Sequence, residues 1–125
     1  MEFLILAIDD CEDHCLLMAS FLESFGYQCV SALDGSTALQ LAQRHQPNLI
    51  LLDICMPKMD GDEVLRCLKQ NPQTAAIPVV AVTAMAIGTR KRFLAAGYDD
   101  YLMKPFTSEV LEAILQRHLV VSPAT

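Results

Sequence analysis

The stretch NLILLDI (residues 48–54) decides the fold of this chain. The four consecutive apolar residues from Leu49 to Leu52 predict a strand that is buried on both faces of a sheet. Asp53 then ends the run, although a carboxylate is among the groups least often buried without a partner. Ligands of open parallel sheets bind beyond the carboxyl ends of the strands. The run therefore predicts a strand that carries an acidic group to a binding edge.

Length and composition indicate one globular domain. The 125 residues are 53% hydrophobic and 19% charged, which supplies a core and argues against disorder. We expect a single domain over residues 1–125, with 120–125 as a terminal tail. No apolar run approaches the ~20 residues of a membrane span, and the N-terminus lacks the basic region of a signal peptide. A cytoplasmic protein that does not associate with membranes is the expectation.

The charge and the cysteines exclude two further classes. Nine basic residues against fifteen acidic ones give a net charge of −6, which argues against nucleic-acid binding by this chain alone. Five cysteines with no Cys-x-x-Cys indicate reduced thiols rather than a disulfide framework. Cys11 and Cys15 stand one helical turn apart and are expected in the core or half-buried. Only His14 is close to them in sequence, so a thiolate metal site is not favoured.

Five short apolar runs alternate with five helical patterns along the chain. The predicted strands cover 3–8, 28–32, 48–53, 77–83 and 101–105, and the last helix covers 108–119. This alternation predicts right-handed crossovers and a mostly parallel sheet with helices on both faces, a doubly wound α/β sandwich of five βα units.

Short polar residues mark the predicted helix ends. Ser36 and Ser108 are predicted as N-caps of the second and fifth helices. Asp34 and Asp60 each precede a glycine and are predicted as turn residues. Gly26 and Gly97 are predicted to end the first and fourth helices. The three histidines, at positions 14, 45 and 118, are expected at the surface.

Polar groups follow four of the five predicted strands. Asp9 and Asp10 end the first, and Asp53 ends the third. Thr83 and Lys104 end the fourth and fifth. Because the carboxyl ends of parallel strands meet at one edge, we expect these side chains to converge.

This set of groups suits phosphoryl chemistry. Three crowded carboxylates repel one another, and a hard divalent cation such as Mg²⁺ relieves the repulsion. An aspartate carboxylate can act as a nucleophile and form an acyl phosphate. The ammonium group of Lys104 and the hydroxyl group of Thr83 suit the charged oxygens of a phosphoryl group.

Four motifs resemble the response-regulator receiver domain of two-component signalling, the fold of the bacterial chemotaxis regulator. They are AIDD (7–10), LLDICMPKMDG (51–61), VVAVTA (79–84) and LAAGYDDYLMKPF (94–106). The resemblance covers essentially the whole chain and implies the strand order 2-1-3-4-5. That order is taken from the family, for which it is an established example, rather than derived from this sequence.

The resemblance assigns roles to the residues at the strand ends. It implies that Asp53 accepts a phosphoryl group from a histidine kinase or a histidine phosphotransfer protein. Asp10, Asp53 and the backbone carbonyl group of Cys55 would ligate Mg²⁺, with Mn²⁺ as an alternative ion, and Asp9 would bind through water. The module would assist its own phosphorylation and autodephosphorylation without being an enzyme that acts on a separate substrate.

The resemblance also implies a switch. Thr83 and Lys104 would hold the phosphoryl oxygens, and the Lys104–Pro105 bond would be cis. Tyr101 would turn inward as Thr83 moves toward the phosphate. A downstream protein would then bind the face formed by the fourth helix, the fifth strand and the fifth helix, near TRKR (89–92). The chain is expected to be a monomer or a weak dimer.

Two positions depart from the common pattern of the family. Cys55 and Met85 each stand two residues after a site residue, where the side chains flank the path of the hydrolytic water. Neither positions a water well, so we expect these two residues largely to set the lifetime of the acyl phosphate.

Alternatives remain open at this level. The chain could be a receiver module from a hybrid histidine kinase, or a degenerate receiver that acts by protein binding alone. A phosphohydrolase of the haloacid dehalogenase type would require a second aspartate two residues after Asp53, where this chain has Cys55. A flavodoxin-type electron carrier would require Ser, Thr and Gly in its phosphate-binding loop after the first strand. This chain has DDCEDH (9–14) there, and its carboxylates would repel a cofactor phosphate.

Overall fold

The computed structural model describes residues 3–54, 60–84 and 90–119. Strands and helices alternate through these residues. The strands are β1 (Leu4–Ile8), β2 (Gln28–Ala32), β3 (Leu49–Asp53), β4 (Val79–Thr83) and β5 (Asp100–Met103). The helices are α1 (Glu12–Ser24), α2 (Gly35–His45), α3 (Gly61–Gln70), α4 (Arg90–Ala96) and α5 (Ser108–His118). Across these described segments, none of the helices is long and apolar enough to span a membrane.

The strands form one parallel sheet in the order β2-β1-β3-β4-β5. The predicted doubly wound fold and its strand order are therefore confirmed. β3 is central, and all five of its residues are buried. Ile50 and Leu52 face one apolar cluster, and Leu49 and Leu51 face the other. Each fully buried side chain of this size stabilises the fold by roughly 1.5–3 kcal/mol.

Helices cover both faces of the sheet. The first cluster includes side chains of α2, α3 and α4, among them Ala38, Ala42, Leu65, Leu68 and Phe93. The second includes side chains of α1 and α5, namely Leu22, Leu111, Ile114 and Leu115. The continuous apolar runs of the central strands are explained by this covering, because neither face of these strands meets water.

Several strand ends differ from the prediction by one or two residues. β4 begins at Val79 rather than at residue 77, because the Ile77 amide donates to the Thr74 carbonyl oxygen in a turn and Pro78 has no N–H. β5 covers Asp100–Met103 rather than 101–105, because Asp100 already pairs in register with Val80.

Both predicted serine N-caps were wrong by one or two positions. The cap of α2 is Asp34, whose carboxylate accepts a hydrogen bond from the Thr37 amide at 2.7 Å. The cap of α5 is Thr107, whose hydroxyl oxygen accepts from the Val110 amide at 3.2 Å. Each cap lies just before the predicted serine, and either residue type can take the role. Asp60, predicted as a turn residue, likewise caps α3.

Glycine conformation matters at two helix ends and at one close contact. Gly26 and Gly97 have φ of 90° and 110°, which confirms them as the residues that end α1 and α4. A Cβ atom at Gly61 would lie 3.1 Å from the Cα atom of Ile54. The start of α3 can therefore pack directly against the residue that follows Asp53.

Lys69 and Asp99 link α3 to the amino ends of β4 and β5, at the edge of the sheet opposite the predicted site. Lys69 Nζ donates to the carbonyl oxygens of Ala75 at 3.3 Å and Ile77 at 3.2 Å, and to Asp99 Oδ2 at 3.2 Å. Asp99 Oδ2 also accepts from the Val79 amide at 2.8 Å. The beginnings of β4 and β5 are thus linked to α3.

Candidate functional site

Backbone hydrogen bonds carry the sheet pattern past the strand ends and fix the predicted site residues. The Asp9 amide donates to the Ala32 carbonyl oxygen at 3.1 Å. The Lys104 amide donates to the Thr83 carbonyl oxygen at 2.7 Å. Asp9, Asp53, Thr83 and Lys104 consequently lie at one edge of the sheet, as the topology predicts.

The ammonium group of Lys104 stands between two carboxylates. Its Nζ lies 2.7 Å from Asp53 Oδ2 and 3.7 Å from Asp9 Oδ2. Asp53 is only 5% exposed, so this charge-assisted hydrogen bond is well shielded from water. The buried carboxylate at the tip of β3 therefore has a half-buried ammonium group as its counter-ion.

Asp9 is held in place from two sides. Its Oδ1 accepts a hydrogen bond from the Cys11 amide at 2.9 Å, and its Oδ2 lies 3.2 Å from His14 Nδ1. Burial raises the pKa of Asp9, and the neighbouring Asp53 carboxylate raises it further, while the Cys11 amide and Lys104 act in the opposite direction. The two carboxylates therefore resist being charged together.

Such a donor set fits a divalent cation. Asp9, His14 and Asp53 each offer one ligand atom, and these atoms lie within 4.8 Å of one another. The carboxylate oxygens are the ligands that Mg²⁺ prefers. The ammonium group of Lys104 already occupies a position where positive charge is stabilised.

The predicted ligand set is only partly represented in this group. Asp10, predicted as a direct ligand, is half-buried in the bend after β1 and does not belong to the group of Asp9, His14 and Asp53. Cys55, whose carbonyl group was predicted as a ligand, lies outside the described residues, as do Met85 and Thr89. The metal roles of Asp10 and Cys55 stay predictions.

The two predicted switch residues lie in β4 and β5, and their switching role stays a prediction. Thr83 is 1% exposed at the end of β4. Tyr101 is half-buried in β5 and stacks on Phe93 of α4, with ring centroids 5.3 Å apart and planes 21° apart. The Lys104–Pro105 bond is cis, as the resemblance implies. Tyr101 is thus in direct contact with the helix that it would have to influence.

The prediction for the histidines needs correction at His118. This residue is not a surface residue, because its side chain is 18% exposed and its Nε2 lies 3.0 Å from the buried Asp100 Oδ2. Arg117 also donates to Asp100 Oδ2 at 2.6 Å. Burial raises the pKa of Asp100, but the hydrogen bonds from His118, the Tyr101 amide and Arg117 outweigh it, and the pKa lies below its ordinary value.

His14 is 55% exposed, as expected for a surface histidine, and it nevertheless contacts the site through Asp9. The sequence signal for this contact was its position in the first turn of the helix that follows Asp9. A cleft of about 600 Å³ opens beside these residues. Asp9, His14, Asp53 and Lys104 line it together with apolar side chains, among them Leu17, Met18, Phe21 and Phe106. The carboxylates of the site therefore lie beside an apolar wall of the same cleft.

The fold and this edge define a class: a doubly wound α/β domain in which a buried aspartate and a half-buried lysine form an ion pair at the carboxyl ends of the strands. Residues 5–116 match the family model described as the response regulator receiver domain. The chain belongs to this family, and it is a receiver domain of two-component signalling.

Two response regulators are similar to the chain in sequence. It is 43% identical over 114 residues to the response regulator PleD of Caulobacter vibrioides, a match that covers 90% of this chain and 25% of PleD. It is 36% identical over 104 residues to the polar-differentiation response regulator DivK of Brucella anthropi, covering 82% of this chain and 85% of DivK. The chain thus spans only a quarter of the length of PleD but most of DivK.

Solved structures show the same architecture. The chemotaxis protein CheY4 of Vibrio cholerae superposes with a TM-score of 0.86 at 30% identity, covering 95% of this chain and 100% of CheY4. The receiver domain of the sensor histidine kinase PA1611 of Pseudomonas aeruginosa gives 0.84 at 34% identity, covering 94% of this chain and 98% of that domain. The PA1611 structure holds a magnesium ion in its active-site cleft.

Proposed function

We propose that this receiver domain accepts a phosphoryl group on Asp53 from the phosphohistidine of a histidine kinase or histidine phosphotransfer protein, in a reaction that requires Mg²⁺. The observation that carries the proposal is the Asp53 carboxylate. It lies at the end of β3, is 5% exposed, and is held 2.7 Å from the ammonium group of Lys104 beside the carboxylate of Asp9.

The reaction exchanges one bond to phosphorus for another. A carboxylate oxygen of Asp53 attacks the phosphorus atom, and the new O–P bond forms as the N–P bond of the donor breaks. The imidazole ring leaves with the bonding electron pair, and it leaves neutral because its other nitrogen carries a proton. Asp53 thereby becomes a mixed anhydride of a carboxylic and a phosphoric acid.

Fixed charges stabilise the transferring group. Lys104 already contacts Asp53 and supplies a positive charge to one phosphoryl oxygen, while the hydroxyl group of Thr83 supplies a hydrogen-bond donor. Asp9 and Asp53, with Asp10 and the Cys55 carbonyl group as the family resemblance implies, would hold Mg²⁺. When bound, this ion would neutralise charge on the phosphoryl oxygens and between the carboxylates. The magnesium ion in the PA1611 receiver supports this assignment.

The output face is the surface formed by α4, β5 and α5. Leu94, Met103 and Val110 of these elements are 44%, 39% and 49% exposed, so they offer apolar surface to a protein partner. Lys91 is exposed on the same helix as Leu94. Tyr101 contacts Phe93 of α4, so a movement of Tyr101 would alter this surface for a downstream protein.

On this proposal the domain is a signalling switch that acts on itself rather than an enzyme with a separate substrate. A second candidate is a module that passes the phosphoryl group along a relay, since the similar PA1611 receiver belongs to a sensor histidine kinase. Both assignments use the same chemistry at Asp53 and differ only in where the phosphoryl group goes next.

The test is phosphorylation by a small donor. The protein is incubated with Mg²⁺ and acetyl phosphate, and intact mass is measured for the wild type, Asp53→Asn and the control Asp13→Asn, an exposed acid of α1. We expect one phosphoryl mass shift in the wild type and in Asp13→Asn, and none in Asp53→Asn. Absence of labelling in the wild type would favour a degenerate receiver, and turnover of a phosphate ester would favour a phosphohydrolase.

A further inference from the structure

His14 brings an imidazole nitrogen to an otherwise acidic site. Its Nδ1 lies 3.2 Å from Asp9 Oδ2, and its ligand atom belongs to the same group within 4.8 Å as those of Asp9 and Asp53. We propose that His14 is a metal ligand and that it gives this site affinity for divalent transition ions, such as Ni²⁺, Co²⁺ or Zn²⁺, bound through one nitrogen and two carboxylate oxygens. This ion would occupy the same site as the Mg²⁺ of the proposed function, and His14 would determine which ions the site prefers.

The distances match those of ligands around one ion. With metal–ligand bonds of about 2.1 Å, adjacent ligands of an octahedral ion lie about 3.0 Å apart and opposite ligands about 4.2 Å apart. The separation of His14 Nδ1 and Asp9 Oδ2, at 3.2 Å, is that of adjacent ligands. The whole group lies within 4.8 Å, so its widest pair would have to close by about 0.6 Å to become opposite ligands of one ion.

The imidazole nitrogen determines which ions the site binds more tightly. Carboxylate and carbonyl oxygens suit Mg²⁺, whereas imidazole suits Zn²⁺, Ni²⁺ and Cu²⁺. Transition ions bind carboxylates more tightly than Mg²⁺ does in any case, following their general order of affinity. The contribution of His14 is therefore measured as the loss of transition-ion affinity when the imidazole is removed, with little change for Mg²⁺.

The surroundings leave His14 available for this role. Its side chain is 55% exposed, so the ring can turn and exchange its proton for an ion. Lys104 Nζ is closer to Asp53 Oδ2, at 2.7 Å, than to Asp9 Oδ2, at 3.7 Å, so the Asp9–His14 side is the less occupied by positive charge. Cys15, on the same cleft, is buried and directs its Sγ to the Asp9 carbonyl oxygen at 3.5 Å.

The experiment is calorimetric titration of the reduced full chain with NiCl₂ and, separately, with MgCl₂. The variants are His14→Gln and the matched control His45→Gln, an exposed histidine of α2 far along the chain. We expect His14→Gln to weaken Ni²⁺ binding by about tenfold or more, since even groups that only support metal ligands contribute about this much to metal affinity. We expect the affinity for Mg²⁺ to change by less than about threefold. His45→Gln should match the wild type for both ions.

A Co²⁺ absorption spectrum supplies a second readout. Weak visible bands that change in His14→Gln support nitrogen ligation, whereas an intense thiolate charge-transfer band assigns the ion to a cysteine and overturns the proposal. Equal Ni²⁺ affinity in the wild type and His14→Gln overturns it as well. Neither result affects phosphorylation with Mg²⁺, and a failure of Asp53 labelling leaves the metal titration unchanged, so the two proposals fail separately.

Discussion

The ammonium group of Lys104 lies 2.7 Å from the buried Oδ2 of Asp53, so the central carboxylate of the site is already neutralised by a residue from the other side of β4. Lys104 follows β5, and Asp53 ends β3. This ion pair therefore couples the electrostatics of the acceptor to the position of the segment after β5.

Replacing Lys104 with Met should destabilise the protein. The change leaves the buried Asp53 without its cation beside Asp9, and we expect the free energy of unfolding at neutral pH to fall by about 1–3 kcal/mol. Urea unfolding with and without MgCl₂ measures this, and Mg²⁺ should stabilise the variant more than the wild type. Lys91→Met on exposed α4 is the control. A Lys104 variant as stable as the control would contradict the expectation.

Asp100→Asn should remove stability in a pH-dependent manner. The pKa of Asp100 is lowered from its ordinary 3.8, so its contribution is present above that value and is lost as pH falls through the lower folded-state pKa. At neutral pH the variant should lose about 1–3 kcal/mol, because the half-exposed Arg117 and the half-buried His118 lose a charged partner.

Urea unfolding of Asp100→Asn and of the wild type between neutral pH and pH of about 3 measures this difference. The two curves should approach one another at the acidic end. A constant difference across this range would show that the loss comes from packing and not from the charge.

The caps of α5 give a paired test. Thr107→Ala should lower the free energy of unfolding by about 1 kcal/mol, because its hydroxyl oxygen accepts from the Val110 amide at 3.2 Å. Ser108→Ala, one residue along and already inside the helix, should change it by less than about 0.5 kcal/mol. Thermal or urea unfolding distinguishes them, and a larger effect at Ser108 would restore the sequence-based assignment.

Tyr101 should report phosphorylation. In protein labelled with fluorotyrosine, we expect the ¹⁹F resonance of Tyr101 to shift on treatment with Mg²⁺ and acetyl phosphate, because its stacking on Phe93 changes. Tyr27 is the internal reference, since it packs against Phe3 and Phe25 on the opposite face of the sheet from Phe93. Thr83→Ala should abolish the shift. A phosphorylated protein with an unmoved Tyr101 signal would rule out the switch.

The lifetime of the acyl phosphate should respond to Cys55 and Met85. Cys55→Asn with Met85→Glu should speed dephosphorylation by about five- to tenfold, since one well-placed hydrogen bond to the attacking water contributes about 1 kcal/mol. Loss of the phosphoryl mass over time measures the rate. An unchanged rate would show that these two positions do not control hydrolysis.

The architecture could be predicted because short apolar runs alternate with helical patterns, and four of the five runs are followed by a polar residue at the carboxyl end. NLILLD (48–53) predicts a strand buried on both faces, and all five residues of the observed β3, Leu49–Asp53, are buried, whereas Asn48 is exposed just before it. The meeting of Asp9, Asp53 and Lys104 follows from parallel topology alone. A local pattern was sufficient here because the fold converts sequence order into position.

Contacts that depend on the rotation of a helix could not be predicted in this way. Whether His118 faces Asp100 or water is set by how α5 packs on β5, and no local pattern fixes that angle. The contact of His14 with Asp9 depends similarly on the first turn of α1. Adjacent residues of equal capping ability, such as Thr107 and Ser108, leave a helix start ambiguous by one position.

The shared contact of Asp99 has a mechanical consequence. Its Oδ2 holds both the Val79 amide and the ammonium group of Lys69, so β4 and β5 leave from a common anchor on α3. A rearrangement around Asp53 cannot part the beginnings of these strands without breaking both bonds. We therefore expect any displacement of β4 and β5 to be smallest at this anchor and largest at their carboxyl ends, near Thr83 and Lys104.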